Sequence, residues 1–294
     1  MSRDHIIPQF ILRGFAINPT ASKQNHRIMI YDRSTKQVHT EKIADAYAIR
    51  DFNSPETEKY LAYEYESGVA KIFQRIADNA ANNQKSVALS NAEYKLLFRF
   101  FVIMWRRNNI QLDKAKEMGV QLENFMKFIF GERYQEMLRP EYKDYSFERM
   151  FEERKDDLRT AFYDKVIPET TDDDPTVQKT IKYYPPFIVH NKSKIHFLLH
   201  NTYATLRYFV PKEQKEIYDD DVPSIMIYPI SNTLCFCMLR SEKEIDITKE
   251  EFTIPIEVWD KDEDIKQHLI DGYITQVATS FVVDDTNVEF VKNH

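Results

Sequence analysis

Glycine is nearly absent: 5 of 294 residues, where a chain of average usage would hold about 20. The five, Gly14, Gly68, Gly119, Gly131 and Gly272, lie far apart. No G-x-G-x-x-G turn, Walker phosphate loop or G-x-S-x-G nucleophile elbow can be written with them. Rossmann oxidoreductases, P-loop NTPases and the common serine hydrolases drop out. Cysteine is scarcer still. Cys235 and Cys237, separated by one residue, point to the same face of a strand, which is poor disulfide geometry and too few ligands for a zinc site. They are expected to be reduced and buried in a sheet. Long apolar runs are missing too. The most apolar window, Leu96 to Trp105, holds Arg99 and is far short of the ~20 residues of a membrane span. The start Met1-Ser2-Arg3-Asp4-His5 leads into too short an apolar stretch for a secretory signal. Nor is there a basic excess: 40 basic against 47 acidic residues leave a net charge of −7. That balance argues against a surface built for non-specific nucleic-acid or anionic-membrane binding, although a local basic cleft stays open. These absences predict a soluble, cytoplasmic protein with no membrane partner.

What is present is enough for a real core, with 43% hydrophobic and 13% aromatic residues. The patterning predicts an α+β fold in three segments. In 1–55, Pro8 and Gly14 bracket a short helix, and the stretches Arg27 to Asp32 and Gln37 to Lys42 read as a β-hairpin, the segment packing on the C-terminal sheet. In 56–167 a helical bundle is expected. Leu61, Tyr65, Val69, Ile72 and Ile76 form one inward stripe, and Ser90 with Glu93 forms a capping box before a helix apolar nearly all round, the buried centre of the bundle. Charge-rich surface helices follow, and 168–175, with Asp172-Asp173-Asp174, reads as a solvated loop.

The segment 176–294 predicts a mixed or antiparallel sheet. Phe187 to His190 and Lys194 to His200 look like two strands of a hairpin, and Thr233 to Leu239, apolar on both faces, is the expected central strand. A final helix begins near Asp260 with Ile265, Leu269, Ile270, Tyr273 and Val277 inward, and Asn287 to Lys292 reads as one more strand.

Few residues promise chemistry. His196 and His200 share a face if their strand is regular, but no carboxylate completes a metal spacing, so a structural role is favoured. Glu66 is more informative. Its helical neighbours Ala62, Ala70 and Phe73 set it at the edge of the buried stripe. A carboxylate there either pairs with a buried arginine or holds a shifted pKa for use in a site. Arg106 and Arg107, at the end of the apolar helix, are the natural partners, and an ion pair is the plainer reading.

With these segments in view, a resemblance can be stated. His5-Ile-Ile-Pro8-Gln9-Phe10-Ile-Leu12-Arg13-Gly14-Phe15 resembles the H-x-x-P-Q-x-x-L-R-x-F opening of the prokaryotic domain of unknown function 4238. Arg27 to Asp32, Asp51-Phe52, Glu66-Ser67, Arg107-Asn108 and Ile227 to Ser231 are similar to later landmarks of that family. The chain departs from it where a strand often ends in D-N-P, since it reads Leu199-His200-Asn201-Thr202, and where Asn108-Asn109 replaces a common threonine and proline.

The resemblance brings no established reaction. It implies a polar set of His5, Gln9, Arg13, Glu66 and Arg107 gathered between the N-terminal helix and the bundle; if the missing aspartate takes part in the family's chemistry, this chain either uses His200 or Asn201 in its place or has lost the activity. In that set His5 is an acid or base, Glu66 a base or metal ligand, and the arginines an anion clamp. The leading expectation is an effector or defence-type hydrolase acting on a phosphodiester or nucleotide. His5 and Glu66 would be catalytic, Gln9, Arg13, Arg106, Arg107 and Asn201 would bind substrate, and a divalent metal is one option for a cofactor. The alternative is a non-enzymatic binding or regulatory module. There the polar residues form a structural network, and surface aromatics such as Tyr60, Tyr63 and Tyr134 recognise a protein partner.

Overall fold

Pro8 supplies the extended backbone from which a helix can start, and Gly14 stands where it stops. In the computed structural model, β1 (Arg3–His5) leads into this helix, α1 (Gln9–Arg13). The structure describes residues 3–293 apart from 51, 108, 141–142, 144, 202, 204, 208–223 and 270–278. Gly14 owes its place to space rather than to an unusual dihedral angle: a Cβ there would sit 2.4 Å from the Ile230 carbonyl oxygen. The expected hairpin follows as β2 (Arg27–Asp32) and β3 (Gln37–Lys42), and β4 (Ala48–Arg50) returns to pair with β1.

The helical segment opens with α2 (Pro55–Tyr60), whose N-cap Ser54 accepts a hydrogen bond from the Thr57 amide. A π-helical stretch (Leu61–Glu66) then leads into α3 (Ser67–Ala81). All five stripe residues, Leu61 through Ile76, are buried. The edge strand β5 (Ser86–Ser90) precedes α4 (Asn91–Arg106), which starts at the Ser90/Glu93 capping box. The helices α5 (Asn109–Phe130), α6 (Arg133–Met137), α7 (Phe147–Glu153), α8 (Lys155–Glu169) and α9 (Pro175–Tyr183) complete the segment. Beyond them lie β6 (Pro186–Asn191), β7 (Leu199–His200), β8 (Thr205–Arg207), β9 (Ile225–Pro229), β10 (Leu234–Leu239), β11 (Glu251–Trp259), α10 (Asp262–Leu269), β12 (Ser280–Val283) and α11 (Val288–Lys292).

Two sheets organise the rest. One has six strands in the order β5-β11-β6-β10-β9-β8 and is mixed, because β11 runs parallel to β6 while its other neighbours pair antiparallel. The other is antiparallel, β3-β2-β12-β7, so the N-terminal hairpin is joined to a strand near the C-terminus. The expected central strand, β10, lies between β6 and β9, and its two faces serve two cores. Leu234, Phe236 and Met238 join the main core under α4, where Phe101 stacks on Tyr228 at 4.1 Å and Tyr94 on Phe252 at 4.0 Å. Cys235 and Cys237, on the alternate face, enter a smaller core with Ile265, Leu269, Phe281 and Val291. Both cysteines are free and buried.

Several local expectations are corrected. Residues 187–200 do not form a hairpin: β6 pairs with β10 and β11, while only Leu199–His200 is strand, and it belongs to the other sheet. Closeness in sequence does not make these two stretches neighbours, because burial on two faces draws β6 into the middle of the larger sheet. Val288–Lys292 is helix rather than strand. Its two buried side chains in this stretch of the chain, Asn287 and Val291, are four apart, a helical spacing. The helix α8 continues through Pro168, the Thr170 hydroxyl taking up the Val166 carbonyl in the last turn. Of the three aspartates read as solvated loop, Asp172 pairs with Arg99 at 3.0 Å and Asp174 with Arg106 at 2.8 Å. Ile270, Tyr273 and Val277, expected to extend the inward face of α10, lie outside the described residues, as do Asp51, Asn108 and Thr202.

Candidate functional site

A polar cleft opens between α1 and the α2 to α3 segment. It has a volume of about 440 Å³ and is lined by His5, Gln9 and Arg13 from one side and by Glu58, Glu66 and Ser67 from the other. The sequence builds the first wall simply: His5, Gln9 and Arg13 are spaced four apart, and α1 carries Ile11 and Leu12 into the core on its opposite side. The second wall depends on the π-helical turns. Eight residues of regular α-helix would leave Glu66 rotated by roughly 80° from Glu58. The wider i→i+5 turns, closed by the Ser67 amide on the Ala62 carbonyl, remove part of that rotation and bring both carboxylates to the cleft.

Hydrogen bonds define the protonation of the first wall. His5 Nε2 lies 3.0 Å from the Ile43 carbonyl oxygen, which can only accept, so Nε2 carries the hydrogen. The unprotonated Nδ1 faces the Gln9 amide nitrogen at 3.5 Å. Arg13 donates from Nη2 to Gln9 Oε1 at 2.9 Å, while its buried Nε has no hydrogen-bond partner among the described residues. Burial lowers the His5 pKa and outweighs the backbone hydrogen bonds that would raise it, so the imidazole is neutral at physiological pH. Burial acts oppositely on the second wall. It raises the pKa of both Glu66 and Glu58 above the ordinary carboxylate value, against the attraction of Arg107.

Arg107 belongs behind the cleft rather than in it. Its side chain is 1% exposed and donates from Nη2 to the His5 carbonyl oxygen at 3.0 Å. Its ionic partner is Glu58, at 3.8 Å, and not Glu66. Phe52 lies 5.7 Å from the guanidinium, and the Tyr163 hydroxyl donates to the Arg107 carbonyl. Glu58 also accepts from the Asn53 side chain, and the Asn53 amide donates to the buried Asp4 carboxylate at 3.1 Å. The expected Glu66 pair is thus replaced by an Arg107 to Glu58 pair, leaving Glu66 influenced by the arginine charge without contact.

Two expected binding residues lie elsewhere. Arg106 is held by both Asp174 oxygens, Thr170 and Thr176 at 2.7 to 3.1 Å, beside a separate cleft lined by Trp105, Phe162 and Glu169. Asn201 donates from its amide to Thr279 at the β7–β12 ladder and does not line the polar cleft. His200 is fully buried, which pushes its pKa down to about 3 and keeps it neutral. His196 pairs with Asp284 at 2.6 Å, in a set of hydrogen bonds with Thr286 and Asn287 that ties 196–197 to the turn before α11. Among the described residues no three His, Cys, Asp or Glu side chains stand close enough together to hold a metal ion.

Glu58 is the lining residue that sequence reasoning missed. A signal was there: Glu58, Ala62, Glu66 and Ala70 recur every four residues, two carboxylates separated by small side chains that leave room beside them. Of the surface aromatics considered for partner binding, Tyr63 is exposed, Tyr60 packs edge-on against Tyr65, and Tyr134 lies under Lys127.

The chain belongs to the family described as protein of unknown function (DUF4238), whose model matches residues 3–293. No curated protein and no solved structure matches the chain. Among the described residues no helix is long and apolar enough to cross a membrane.

Proposed function

We propose that the cleft between α1 and α3 is a hydrolytic site acting on a nucleotide or small phosphodiester, in a cytoplasmic effector or defence-type protein. One observation carries this reading: His5, Gln9, Arg13 and Glu66 converge on an open cleft rather than in a sealed core. Its volume falls in the range of small-molecule sites, about 300–1,000 Å³, and the net charge of −7 favours a small substrate over a long nucleic acid.

In this reading His5 Nδ1 takes the proton of the attacking water, since its other nitrogen is committed to Ile43. Glu66 supplies a proton to the leaving oxygen, a role suited to a carboxyl whose pKa is raised by burial. Arg13, oriented by Gln9, receives the anionic oxygens. The raised pKa values of Glu66 and Glu58 lessen the repulsion that fully ionised carboxylates would offer an anion.

The test is turnover of nucleotides, short RNA and DNA, and an activated phosphodiester by the full chain, with chelator and with Mg²⁺, Mn²⁺ or Zn²⁺. His5→Ala and Glu66→Gln should each reduce turnover about 10²–10⁴-fold. The pH profile should have an acid limb below the usual histidine value and an alkaline limb above the usual glutamate value, each lost in the matching variant. Equal turnover in wild type and both variants removes these residues from the mechanism.

A second reading, a binding or regulatory module with a structural polar network, draws on two contacts. Arg107 and Ile43 hold His5 by its backbone and its ring. It predicts that Glu66→Gln and His5→Ala both lower the melting temperature and change no activity.

A further inference from the structure

The helix α5 shows a side of the molecule that the cleft does not use. Its inner face is closed against α7: a Cβ on Gly119 would fall 2.0 to 2.7 Å from ring atoms of Phe147. Its outer face carries Met118, Leu122, Phe125, Phe128 and Ile129, which are 70%, 61%, 57%, 87% and 51% exposed. A lone exposed leucine needs no explanation, but five large apolar side chains on one helix face do.

The spacing within this face is regular. Met118, Leu122, Phe125 and Ile129 are separated by four, three and four residues, the a/d pattern of a helix that packs against another helix. It is also symmetric about its own midpoint, between Glu123 and Asn124. A copy of the same helix laid antiparallel across a two-fold axis therefore places Leu122 opposite Phe125 of the copy, and Met118 opposite Ile129. A surface that meets itself under a two-fold rotation is the requirement of an isologous dimer.

Area and charge point the same way. Taking roughly 200 Å² for each large side chain, the five exposures leave about 650 Å² of apolar surface in water on each copy. Two such faces approach about 1,300 Å², within the range of specific protein interfaces and beyond what a monomer ordinarily leaves as one patch. The positions flanking the stripe, Gly119, Gln121, Met126 and Phe128, are uncharged, so a second copy meets no like charge along the seam. The basic Lys127 is turned to Glu123 at 3.0 Å and to Tyr134.

We propose that α5 is a homodimer interface in which two copies pair antiparallel through Met118, Leu122, Phe125 and Ile129. The polar cleft lies on other elements, so this proposal stands or falls apart from the reading of that site.

Sedimentation of the full chain between about 1 and 100 µM should show a dimer. The double variant Leu122→Glu/Phe125→Glu should weaken dimerisation by about 100-fold or more, with an unchanged circular dichroism spectrum because more than half of each side chain faces solvent in its own protomer. The register has its own readout. Leu122→Cys and Phe125→Cys proteins, mixed and mildly oxidised, should crosslink to each other more readily than either does to itself, Cys235 and Cys237 being buried. A wild type that stays monomeric throughout this range overturns the proposal, whether or not it binds lipid vesicles or another protein. So does a folded double variant that remains dimeric, or crosslinking confined to identical positions.

Discussion

Arg106 and Arg107 are neighbours in sequence at the end of α4, yet they serve two regions with opposite electrostatics. Arg106 meets a carboxylate with two short contacts and two threonine hydroxyls. Burial works to raise the Asp174 pKa, but the hydrogen bonds from Arg106 and from the Val177 and Thr176 amides outweigh it and hold the carboxyl below its ordinary value. Arg107, sealed from solvent, has its nearest carboxylate at 3.8 Å, and both cleft carboxylates are left with raised pKa values. The first region matches each charge at hydrogen-bond distance and ties the end of α4 to α9. The second keeps ionisable groups under-compensated beside open space, an arrangement that lowers stability and is found where groups are poised for use.

That contrast can be broken most forcefully at Arg107. Replacing it with methionine removes the guanidinium under Phe52 and its bond to the His5 carbonyl, so urea unfolding should report a loss of about 3 kcal/mol. An unchanged midpoint would mean that the sealed cation carries no structural weight. Asp174→Asn should come next. It weakens a two-point ion pair that is partly screened by solvent and loses the charge at the α9 N-cap, for roughly 1–2 kcal/mol by the same measurement.

Glu66→Gln makes the same chemical change, carboxylate to amide, and should act with the opposite sign, raising the melting temperature by a few degrees at pH 7. A fall instead would align the cleft with the Arg106 region and support the structural-network reading. The smallest effect is the pH dependence of these two differences. A raised pKa gives Glu66 a stabilising contribution that is complete below its unfolded value near 4.5 and lost as pH rises through the folded value. The advantage of Glu66→Gln should therefore shrink from pH 7 toward pH 4. Asp174, with its lowered pKa, contributes stability above its unfolded value near 3.8 that is lost as pH falls. The deficit of Asp174→Asn should accordingly narrow in acid, below the range in which the Glu66 difference closes.

Much of the local structure was legible from residues alone. The Ser90/Glu93 capping box, the Pro8 to Gly14 helix and the stripe from Leu61 to Ile76 depend on neighbours within a few positions. Half of the cleft was legible for the same reason, since Gln9 and Arg13 share one face of α1, His5 stands four residues before Gln9 at the end of β1, and Glu66 stands out among alanines. Glu58 was not, because its presence in the cleft depends on the π-helical turns that follow it, and no simple residue pattern announces those. The Asp174 pairing leaves no local signal, because its partner Arg106 stands 68 positions away in sequence.

The sequence by itself determined the α+β class, the inward faces of the helices, the two-faced burial of β10 and the helix face that presents Gln9 beside Arg13. It did so because period and capping are properties of short stretches of chain. Only the tertiary structure decided which arginine is matched and which is sealed, that Glu58 rather than Glu66 lies nearest Arg107, and that β6 joins β10 and β11 instead of β7. Those outcomes depend on which distant groups share a low-dielectric space, and side-chain charges settle their pairing only after the apolar surfaces have chosen how the elements pack.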